Sequence, residues 1–343
     1  MSEKETLLEI KNLKTYFPIK SSNLVGKSSD VKAVDGVSFK LYKGETLGIV
    51  GESGSGKSTL GRTILRLIEP TEGEIIFEGH PLQQLNRRKL QEHRKYMQMV
   101  FQDPFASLNP RMRVGQIIEE PLAEQKVSKS ERGKKVEELI AKVGLSKESL
   151  KKFPHEFSGG QRQRIGIARA LSMNPKFIIA DEPVSALDVS IQSQVLNLMM
   201  DLQDEFDLTY LFISHDLSVV KHISDRVGVM YLGRIVEIGT KKDIYENPLH
   251  PYTKALLSAI PVVNFAGKKQ AIQLTGEPPS PANPPTGCAF HPRCPYVMER
   301  CKIERPNLVQ MEDRQQVACH LFPDEQYNVN LDKSTENIQY IPL

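Results

Sequence analysis

Nine consecutive residues in the first third of the chain have the types and spacing needed to hold a phosphate group. They follow the pattern G-x-x-x-x-G-K-[ST] and are Gly51, Glu52, Ser53, Gly54, Ser55, Gly56, Lys57, Ser58 and Thr59. In such a loop successive backbone N–H groups wrap around the phosphates, the lysine adds a positive charge, and the Ser58 hydroxyl can reach Mg²⁺. The apolar run 46–50 predicts a buried strand before the loop, and the apolar spacing over 59–67 predicts a helix after it, with Leu67 on its apolar face. A glycine-rich loop without a ligand is the alternative, and the strand–loop–helix context argues against it.

Two adjacent carboxylates, Asp181 and Glu182, come directly after the apolar residues 177–180. This pattern is typical of a buried parallel strand that delivers acids at its carboxyl end. Asp181 would then hold Mg²⁺ directly or through water, and Glu182 would polarise the water that attacks the γ-phosphorus. An acidic turn after a strand is a common alternative, but its order relative to the phosphate loop favours the catalytic interpretation.

A second candidate anion site lies well beyond the first. Its residues are Ser158, Gly159, Gly160 and Gln161. Ser158 can cap a helix whose periodic apolar residues follow, and the two glycines let a ligand approach the first turn closely. Because free N–H groups at a helix N-terminus bind anions, and the chain already has a complete phosphate cradle, we infer a nucleotide held between two chains. A capped helix start with a flexible glycine pair is the alternative for this stretch taken alone.

Taken together, these motifs resemble those of the ATPase subunits of ABC transporters. The resemblance implies that Gln102, in the run 100–104, senses the γ-phosphate and binds Mg²⁺ together with Ser58 and Asp181. It also implies that His215, which ends the apolar run 210–214, is the switch histidine that supports hydrolysis beside Glu182. The expected cofactors are therefore ATP and Mg²⁺.

The same resemblance implies further nucleotide contacts and a dimer. Phe17, or the neighbouring Tyr16, is expected to stack on adenine. The stretch 158–161 matches the signature motif, which binds the partner's ATP. The D-loop, which crosses the dimer seam, is expected to consist of Ser185, Ala186, Leu187 and Asp188.

The fold implied is α/β. We expect a P-loop NTPase (RecA-like) core over 1–102 and 173–250, with an antiparallel β edge, and a helical subdomain over 103–172. Within the subdomain, Ser128 and Glu131 are spaced as a capping box, and Gly144 is a helix C-cap. Residues 18–30 read as a loop at a hairpin tip. The spacing of Ile191, Val195, Leu198 and Leu202 predicts one helix face that packs in the core.

Composition limits the classes of partner. A chain of 343 residues has room for two domains, and its 45 basic and 42 acidic residues give a net charge of +3, which makes no case for nucleic acid binding. No apolar run approaches about 18 residues, and the first six residues are not those of a signal peptide. We therefore expect a soluble, cytoplasmic chain that serves a membrane process by docking to a partner.

The segment 251–343 differs in character, and we expect it to form a small irregular domain. Five prolines between Glu277 and Pro285 predict an extended, polyproline-like arm rather than packed structure. All four cysteines of the chain follow, at Cys288, Cys294, Cys301 and Cys319. An iron–sulfur cluster accepts thiolates over uneven gaps, whereas zinc fits these gaps poorly unless a histidine such as His291 or His320 replaces a thiol. Disulfides are disfavoured in a cytoplasmic ATPase, and buried unligated thiols remain an alternative.

This C-terminal segment resembles the extension of dipeptide/oligopeptide importer ATPases, through the runs 250–257, 281–285 and 287–295. The resemblance implies that the four cysteines can hold a [4Fe–4S] cluster. The runs 101–110 and 181–190 are similar to those of the second, F-type, ATPase of such importers.

The partners implied are a D-type ATPase as heterodimer partner, two integral membrane permease subunits contacted near residues 103–125, and an extracytoplasmic peptide-binding protein. The location implied is the cytoplasmic face of a bacterial membrane. Nickel and sugar importers share much of the tail, so the cargo stays open. A soluble ABC ATPase acting on DNA or ribosomes typically has coiled-coil insertions or two cassettes, and neither occurs in this sequence.

Overall fold

The computed structural model describes residues 4–19, 29–260, 272, 274, 276–311 and 315–322. Most of the expected hairpin tip, residues 20–28, lies outside the described residues, as do residues 323–343. The strands within the described residues form two sheets. The smaller sheet is antiparallel, and its strands in spatial order are β2 (Ser29–Tyr42), β1 (Thr6–Ile19), β4 (Glu72–Phe77) and β5 (His80–Pro81). It supplies the antiparallel β edge that the sequence predicts.

Among the described residues, the larger sheet has eight strands, and it holds the nucleotide motifs. In spatial order they are β11 (Val309–Gln310), β12 (Gln316–Val317), β10 (Arg234–Thr240), β9 (Arg226–Tyr231), β3 (Thr46–Val50), β8 (Thr209–Ser214), β7 (Phe177–Asp181) and β6 (Met97–Val100). The five strands from β9 to β6 are parallel. Every residue of β3, β7 and β8 is buried, as expected for a parallel sheet covered on both faces. Their carboxyl ends therefore meet at one edge, where the predicted catalytic residues follow.

Helices cover both faces of this sheet and form the region between β6 and β7. They are α1 (Lys57–Ile64), α2 (Arg87–Arg94), α3 (Val114–Glu124), α4 (Lys129–Lys142), α5 (Gly159–Leu171), α6 (Val189–Phe206), α7 (Leu217–Ile223), α8 (Lys241–Glu246), α9 (Pro251–Ser258) and α10 (Glu299–Ile303). Helices α3, α4 and α5 contact one another and make up the predicted helical region. Within the described parts of the chain, every helix is too short or too polar to span a membrane.

Local sequence signals fixed several helix ends. The Ser128 hydroxyl accepts a hydrogen bond from the Glu131 N–H at 3.3 Å, and the Glu131 carboxylate accepts from the Ser128 N–H, which confirms the capping box. Gly144, with φ of +72°, follows α4 as the predicted C-cap glycine. The predicted end of the helix after the phosphate loop is wrong, because α1 ends at Ile64 rather than at Leu67. Leu67 is 52% exposed and does not lie on the apolar face of the helix. Arg66 has φ of +52°, which breaks the helical conformation before Leu67 can join the apolar face.

The apolar face of α6 is rotated relative to the prediction. Val195 and Leu202 are buried as expected, together with Leu196 and Met199, whereas Ile191 and Leu198 are only partly buried. The helix therefore packs in the core along a stripe of i, i+1, i+4 and i+7 positions that starts at Val195.

The C-terminal segment is joined to the catalytic core. Strand β12 pairs with β10 and extends the large sheet, and Phe290 is buried in the main hydrophobic core, with Cys288 and Cys294 packed against it. A separate small C-terminal domain is therefore not confirmed. Residues 277–285 form no helix or strand, and they include a turn at 281–282. The stretch packs against the core, because the carbonyl of Pro281 accepts a hydrogen bond from the Lys32 N–H at 3.2 Å.

Candidate nucleotide-hydrolysis site

The phosphate loop joins β3 to α1 at the carboxyl edge of the parallel strands. Its glycines are needed for backbone geometry. Gly56 has φ of +100°, and a Cβ at this position would lie 2.0 Å from the Ala33 carbonyl oxygen. A Cβ at Gly51 would lie 2.1 Å from the carbonyl oxygen of Met230. The loop is therefore held tightly against β2 and β9, and its open side is left for a ligand.

Lys57, at the start of α1, points back across this loop. Its side chain is buried, and its Nζ donates hydrogen bonds to the carbonyl oxygens of Gly51 at 2.8 Å and Glu52 at 2.9 Å. Burial lowers the pKa of Lys57 from its usual value, and the carboxylates of Glu182 and Asp181 oppose this effect. The ammonium group therefore lies inside the loop, where it can meet a phosphate.

Ser58 and Asp181 form a pair suited to Mg²⁺. The Ser58 hydroxyl donates a hydrogen bond to Asp181 Oδ1 at 2.7 Å. Asp181 is fully buried, burial raises its pKa, and its Oδ2 has no hydrogen-bond partner among the described residues. A buried carboxylate oxygen without a donor is costly unless a cation or water meets it, and a carboxylate beside a hydroxyl is the donor set that Mg²⁺ takes in phosphate sites. These two residues therefore fit the predicted metal ion.

Three predicted catalytic side chains meet at a single carboxylate oxygen. Gln102 Nε2 donates to Glu182 Oε2 at 2.9 Å, and His215 Nδ1 lies 3.0 Å from the same atom. Gln102, the third predicted Mg²⁺ ligand, thus bonds to Glu182 in this structure. Glu182 has a φ of +46°, an uncommon conformation for a residue that is not glycine, and no local sequence pattern predicts it. The Glu182 N–H donates to the carbonyl oxygen of Ile213 at 2.8 Å, which ties the end of β7 to β8.

An open cavity of about 640 Å³ lies over these groups. Residues 51–54 and 56–59 line it, together with Gln102, Glu182 and His215. Leu256 of α9 and Pro281 also line it, which sequence analysis did not foresee.

The predicted adenine-stacking residue lies near this cavity without lining it. Phe17 is 38% exposed and pairs on the small sheet with Val31, which does line the cavity. The hydroxyl of the alternative residue, Tyr16, donates a hydrogen bond to Asp35 Oδ1 at 2.5 Å. The assignment of adenine stacking to Phe17 stays a prediction.

The signature residues lie apart from this cavity, at the N-terminus of α5. The Ser158 hydroxyl accepts from the Gln161 N–H at 3.4 Å, and Gln161 Oε1 accepts from the Ser158 N–H at 3.0 Å, which completes a second capping box. A Cβ at Gly160 would lie 2.4 Å from Ile191 Cγ2, so this glycine lets α5 approach α6. Within the described parts of the chain, none of the four signature residues lines the cavity beside the phosphate loop.

The D-loop connects Glu182 to α6. The Ser185 hydroxyl donates to the Glu182 carbonyl oxygen at 3.0 Å, and the Asp188 carbonyl accepts from the N–H groups of Ile191 and Gln192 in α6. Leu187 packs beside the signature, since a Cβ at Gly159 would lie 3.2 Å from Leu187 Cδ2. Ala186 lies between them and is exposed.

The structure does not support a metal site at the cysteines. Cys301 is buried and the other three are partly buried. Burial raises the pKa of Cys288 to about 11 and that of Cys319 to about 12. Among the described residues, no group of three or more His, Cys, Asp or Glu side chains is arranged to bind a metal ion. The two histidines considered as zinc ligands lie near backbone oxygens instead, His291 Nδ1 at 2.9 Å from Cys288 O and His320 Nε2 at 2.9 Å from Glu304 O.

Two residues of the C-terminal segment contact the phosphate loop directly, and sequence analysis missed both. The Arg293 guanidinium bonds to the Glu52 carboxylate, and the Tyr252 hydroxyl accepts a hydrogen bond from the Glu52 N–H at 3.0 Å. A contact between residues so far apart in the chain leaves no local pattern by which it could be found.

Comparison with known proteins agrees with this geometry. The ABC transporter family matches residues 34–185, and the family described as the C-terminal region of oligopeptide/dipeptide transporters matches residues 236–301. The oligopeptide transport ATP-binding protein AppF of Bacillus subtilis is 61% identical over 94% of this chain and 99% of its own length. The dipeptide transport ATP-binding protein DppF of Haemophilus influenzae is 54% identical over 93% of this chain and 98% of its own length.

Solved structures show the same fold. That of cbiO1 from Clostridium perfringens, part of the ABC transporter complex cbiONQ, is similar with a TM-score of 0.62 and 28% identity over 71% of this chain and 92% of that one. A dimeric structure of the ABC transporter cassette MJ0796 is similar with a TM-score of 0.61 and 29% identity over 68% of this chain and 99% of that one. The chain belongs to the family of oligopeptide and dipeptide transport ATP-binding proteins of ABC transporters.

Proposed function

We propose that this chain hydrolyses ATP to power the import of dipeptides or oligopeptides, as the F-type ATPase at the cytoplasmic face of a bacterial membrane. The observation that carries the proposal is the convergence of Gln102 and His215 on Glu182 beside an intact phosphate loop. Peptides are proposed as the cargo because the names of the relatives describe oligopeptide and dipeptide transport.

ATP would bind with its phosphates in the loop and its base toward Phe17. The loop N–H groups and the buried Lys57 ammonium would neutralise the phosphate charge. Ser58 and Asp181 would hold Mg²⁺, with Gln102 joining them once it leaves Glu182. Bound Mg²⁺ supplies charge neutralisation at the phosphate oxygens.

Hydrolysis would depend on the Glu182 carboxylate. Its Oε2 atom would accept a hydrogen bond from the attacking water and take its proton as the water oxygen bonds to the γ-phosphorus. The bond between the γ-phosphorus and the bridging oxygen would break in the same displacement, so that ADP leaves and phosphate is formed. His215 lies within hydrogen-bond distance of the same oxygen and would orient the carboxylate. The strained backbone at Glu182 fixes where this carboxylate is presented.

The site would be completed by a second ATPase chain. The signature helix lies away from the cavity of its own chain, so the N–H groups of its first turn other than that of Gln161 are available to a nucleotide on another subunit. We propose a D-type ATPase in a heterodimer, in which each chain's signature serves the other chain's ATP. The Ser185 hydroxyl of the D-loop is hydrogen-bonded to the Glu182 carbonyl oxygen, so contact of the D-loop with the partner would affect the position of the catalytic carboxylate.

A second cleft suits a permease. It has a volume of about 620 Å³ and lies between α1, β6 and the helical region, with Leu67, Phe101, Ala106 and Pro121 in its lining. It overlaps the segment 103–125 expected to contact the membrane subunits, and Gln102 in its lining connects it to the catalytic site. We therefore propose that two permease subunits dock at this cleft and its partner equivalent, with a peptide-binding protein outside the membrane.

The division of the chain follows this account. We propose an ATPase domain over 1–250, made of the core 1–102 and 173–250 and the helical subdomain 103–172, with 251–343 as the transporter-type extension. The [4Fe–4S] cluster at the four cysteines stays a prediction from the cysteine spacing and the resemblance. Iron and inorganic sulfide at cluster stoichiometry in anaerobically purified chain would support it, zinc would support the alternative, and metal-free protein would leave the four thiols unligated.

The proposed function is tested by co-expressing the chain with a D-type ATPase and the permease subunits of a peptide importer. We expect the chain to co-purify with integral membrane proteins and to hydrolyse ATP faster in the complex than alone, because half of its site comes from the partner. A chain that stays with nucleic acid or ribosomes, or that hydrolyses ATP equally well alone, would contradict the proposal.

A further inference from the structure

Arg293 of the C-terminal segment forms an ion pair with Glu52 of the phosphate loop. Arg293 NH1 donates to Glu52 Oε2 at 2.9 Å, and NH2 donates to Glu52 Oε1 at 3.2 Å, which is a bidentate pairing. The Arg293 side chain is 7% exposed and that of Glu52 is 27% exposed, so water screens the pair only in part. This ion pair is therefore not one of the solvent-exposed surface pairs that contribute little.

The surroundings hold Arg293 rigidly in this position. It follows Phe290, whose ring is fully buried and packs against Tyr231 and Tyr252 at centroid distances of 5.3 Å and 5.4 Å. Tyr252 in turn accepts the Glu52 N–H. One aromatic cluster thus anchors both the segment that carries Arg293 and the backbone of Glu52.

The charge of Glu52 makes this contact relevant to ATP. Glu52 lines the nucleotide cavity within the loop that is expected to receive the phosphates. A carboxylate at the rim of a site for a polyanion opposes binding unless its charge is compensated or held aside. Arg293 does both, because it neutralises the carboxylate and turns it toward the C-terminal segment.

We propose that Arg293 is a positioning residue for ATP: by pairing with Glu52 it sets the shape and charge of the phosphate loop, so that the C-terminal segment controls nucleotide affinity. This inference rests on the proposed function, since it takes the loop to bind ATP. It gives the C-terminal extension a role in the ATP site, in addition to the lining that Pro281 provides.

The test measures binding of ATP, ADP and AMP to the full-length chain by equilibrium dialysis. Arg293→Met keeps the apolar stem and removes the charge, and we expect it to weaken ATP binding about tenfold, within the usual range of coupling between sites. The loss should be smaller for ADP and less than about twofold for AMP, because repulsion by Glu52 grows with the number of phosphates. Arg293→Lys, which keeps the charge, should recover part of the loss.

The partner residue gives a prediction of opposite sign. Glu52→Gln leaves the Arg293 cation uncompensated beside the phosphates, so ATP should bind about threefold more tightly than to the wild type. The double variant should bind ATP more tightly than Arg293→Met alone. Because Glu52→Gln is nearly isosteric, it also tests the inference if Arg293→Met fails to fold. Arg300→Ala is the matched control, since Arg300 pairs with Glu304 in the same segment, and we expect its ATP affinity to equal that of the wild type.

The outcomes separate the inference from the function on which it rests. A wild-type chain that binds no ATP would refute both. If the wild type binds ATP but Arg293→Met binds equally well, or loses ATP and AMP to the same extent without recovery in the double variant, the inference fails alone. Unchanged or weaker ATP binding by Glu52→Gln would also overturn it.

Discussion

His250 makes the junction between the core and the C-terminal segment sensitive to acid. The side chain is fully buried at the start of α9, and its Nδ1 accepts a hydrogen bond from the Tyr252 N–H at 3.0 Å. Burial lowers the pKa of His250 to about 3, from an ordinary value of 6.5. The imidazole is therefore neutral in the folded state, and protonation would both charge a buried ring and remove an acceptor.

The size of the effect follows from these two pKa values. Between pH 6.5 and about 3 the unfolded chain binds a proton at this residue that the folded chain does not, so the free energy of unfolding falls as the pH falls. By proton linkage, the His250 contribution to this free energy decreases by about 2 kcal/mol between about pH 7.5 and about pH 5. The Glu237 carboxylate accepts a hydrogen bond from the backbone N–H of His250, and burial raises the pKa of Glu237. Its contribution to the free energy of unfolding therefore changes with pH in the direction opposite to that of His250.

The assay compares urea unfolding of the wild type and His250→Asn at both pH values. Asparagine can still accept the Tyr252 N–H as a helix cap, so the variant removes the titrating group and keeps the hydrogen bond. Because Glu237 is present in both proteins, the difference between their pH dependences isolates His250. His222→Asn, which removes an exposed histidine, is the control and should keep the wild-type dependence.

We expect the pH dependence of the free energy of unfolding to be smaller in His250→Asn by about 2 kcal/mol over this range. A variant that is less stable than the wild type by the same amount at both pH values would show that His250 contributes packing alone. That result would refute the assignment of a neutral, buried imidazole at the junction.

Three further predictions concern the nucleotide site. Glu182→Gln keeps a hydrogen-bonding side chain but removes the general base, so kcat of the assembled complex should fall about 100- to 1,000-fold. ATP should then stay trapped in a closed dimer, and ATP hydrolysis at the wild-type rate would refute the role of Glu182. Lys57→Ala should abolish ATP binding in dialysis, and retention of wild-type affinity would exclude its phosphate contact. Gly56→Ala should abolish ATP binding and destabilise the chain, because its Cβ would lie 2.0 Å from the Ala33 carbonyl oxygen at a φ of +100°. Gly133→Ala is the control, because Gly133 lies in open space on α4, and this substitution should raise the free energy of unfolding by about 0.5–1 kcal/mol.

Much of the site was predictable because its chemistry is encoded locally. The phosphate loop lies between a strand and a helix, and the acids at 181 and 182 end a strand, so the rule that parallel strands share one carboxyl edge brings them together. The capping box at Ser128 and the helix cap at Ser158 were predictable for the same reason, since each depends on residues only a few positions apart.

The parts that could not be predicted depend on long-range contacts. Nothing near Glu52 in the sequence indicates that Arg293 binds it, and nothing near Val317 indicates that it pairs with Glu237 of β10. Apolar periodicity also misplaced the end of α1, because the left-handed conformation of Arg66 overrides it. The C-terminal segment therefore looked like a separate domain in sequence, whereas its apolar residues pack into the main core.

The central claim is that the carboxylate of Glu182, assembled with Gln102 and His215, couples ATP hydrolysis to peptide import. The most direct test is uptake of a labelled oligopeptide by proteoliposomes that contain the complete transporter, with the peptide-binding protein outside and ATP supplied on the side of this chain. We predict ATP-dependent peptide accumulation with the wild-type chain and none with Glu182→Gln, although the variant still binds ATP. Peptide accumulation at the wild-type rate with Glu182→Gln, or none with the wild type, would contradict the claim.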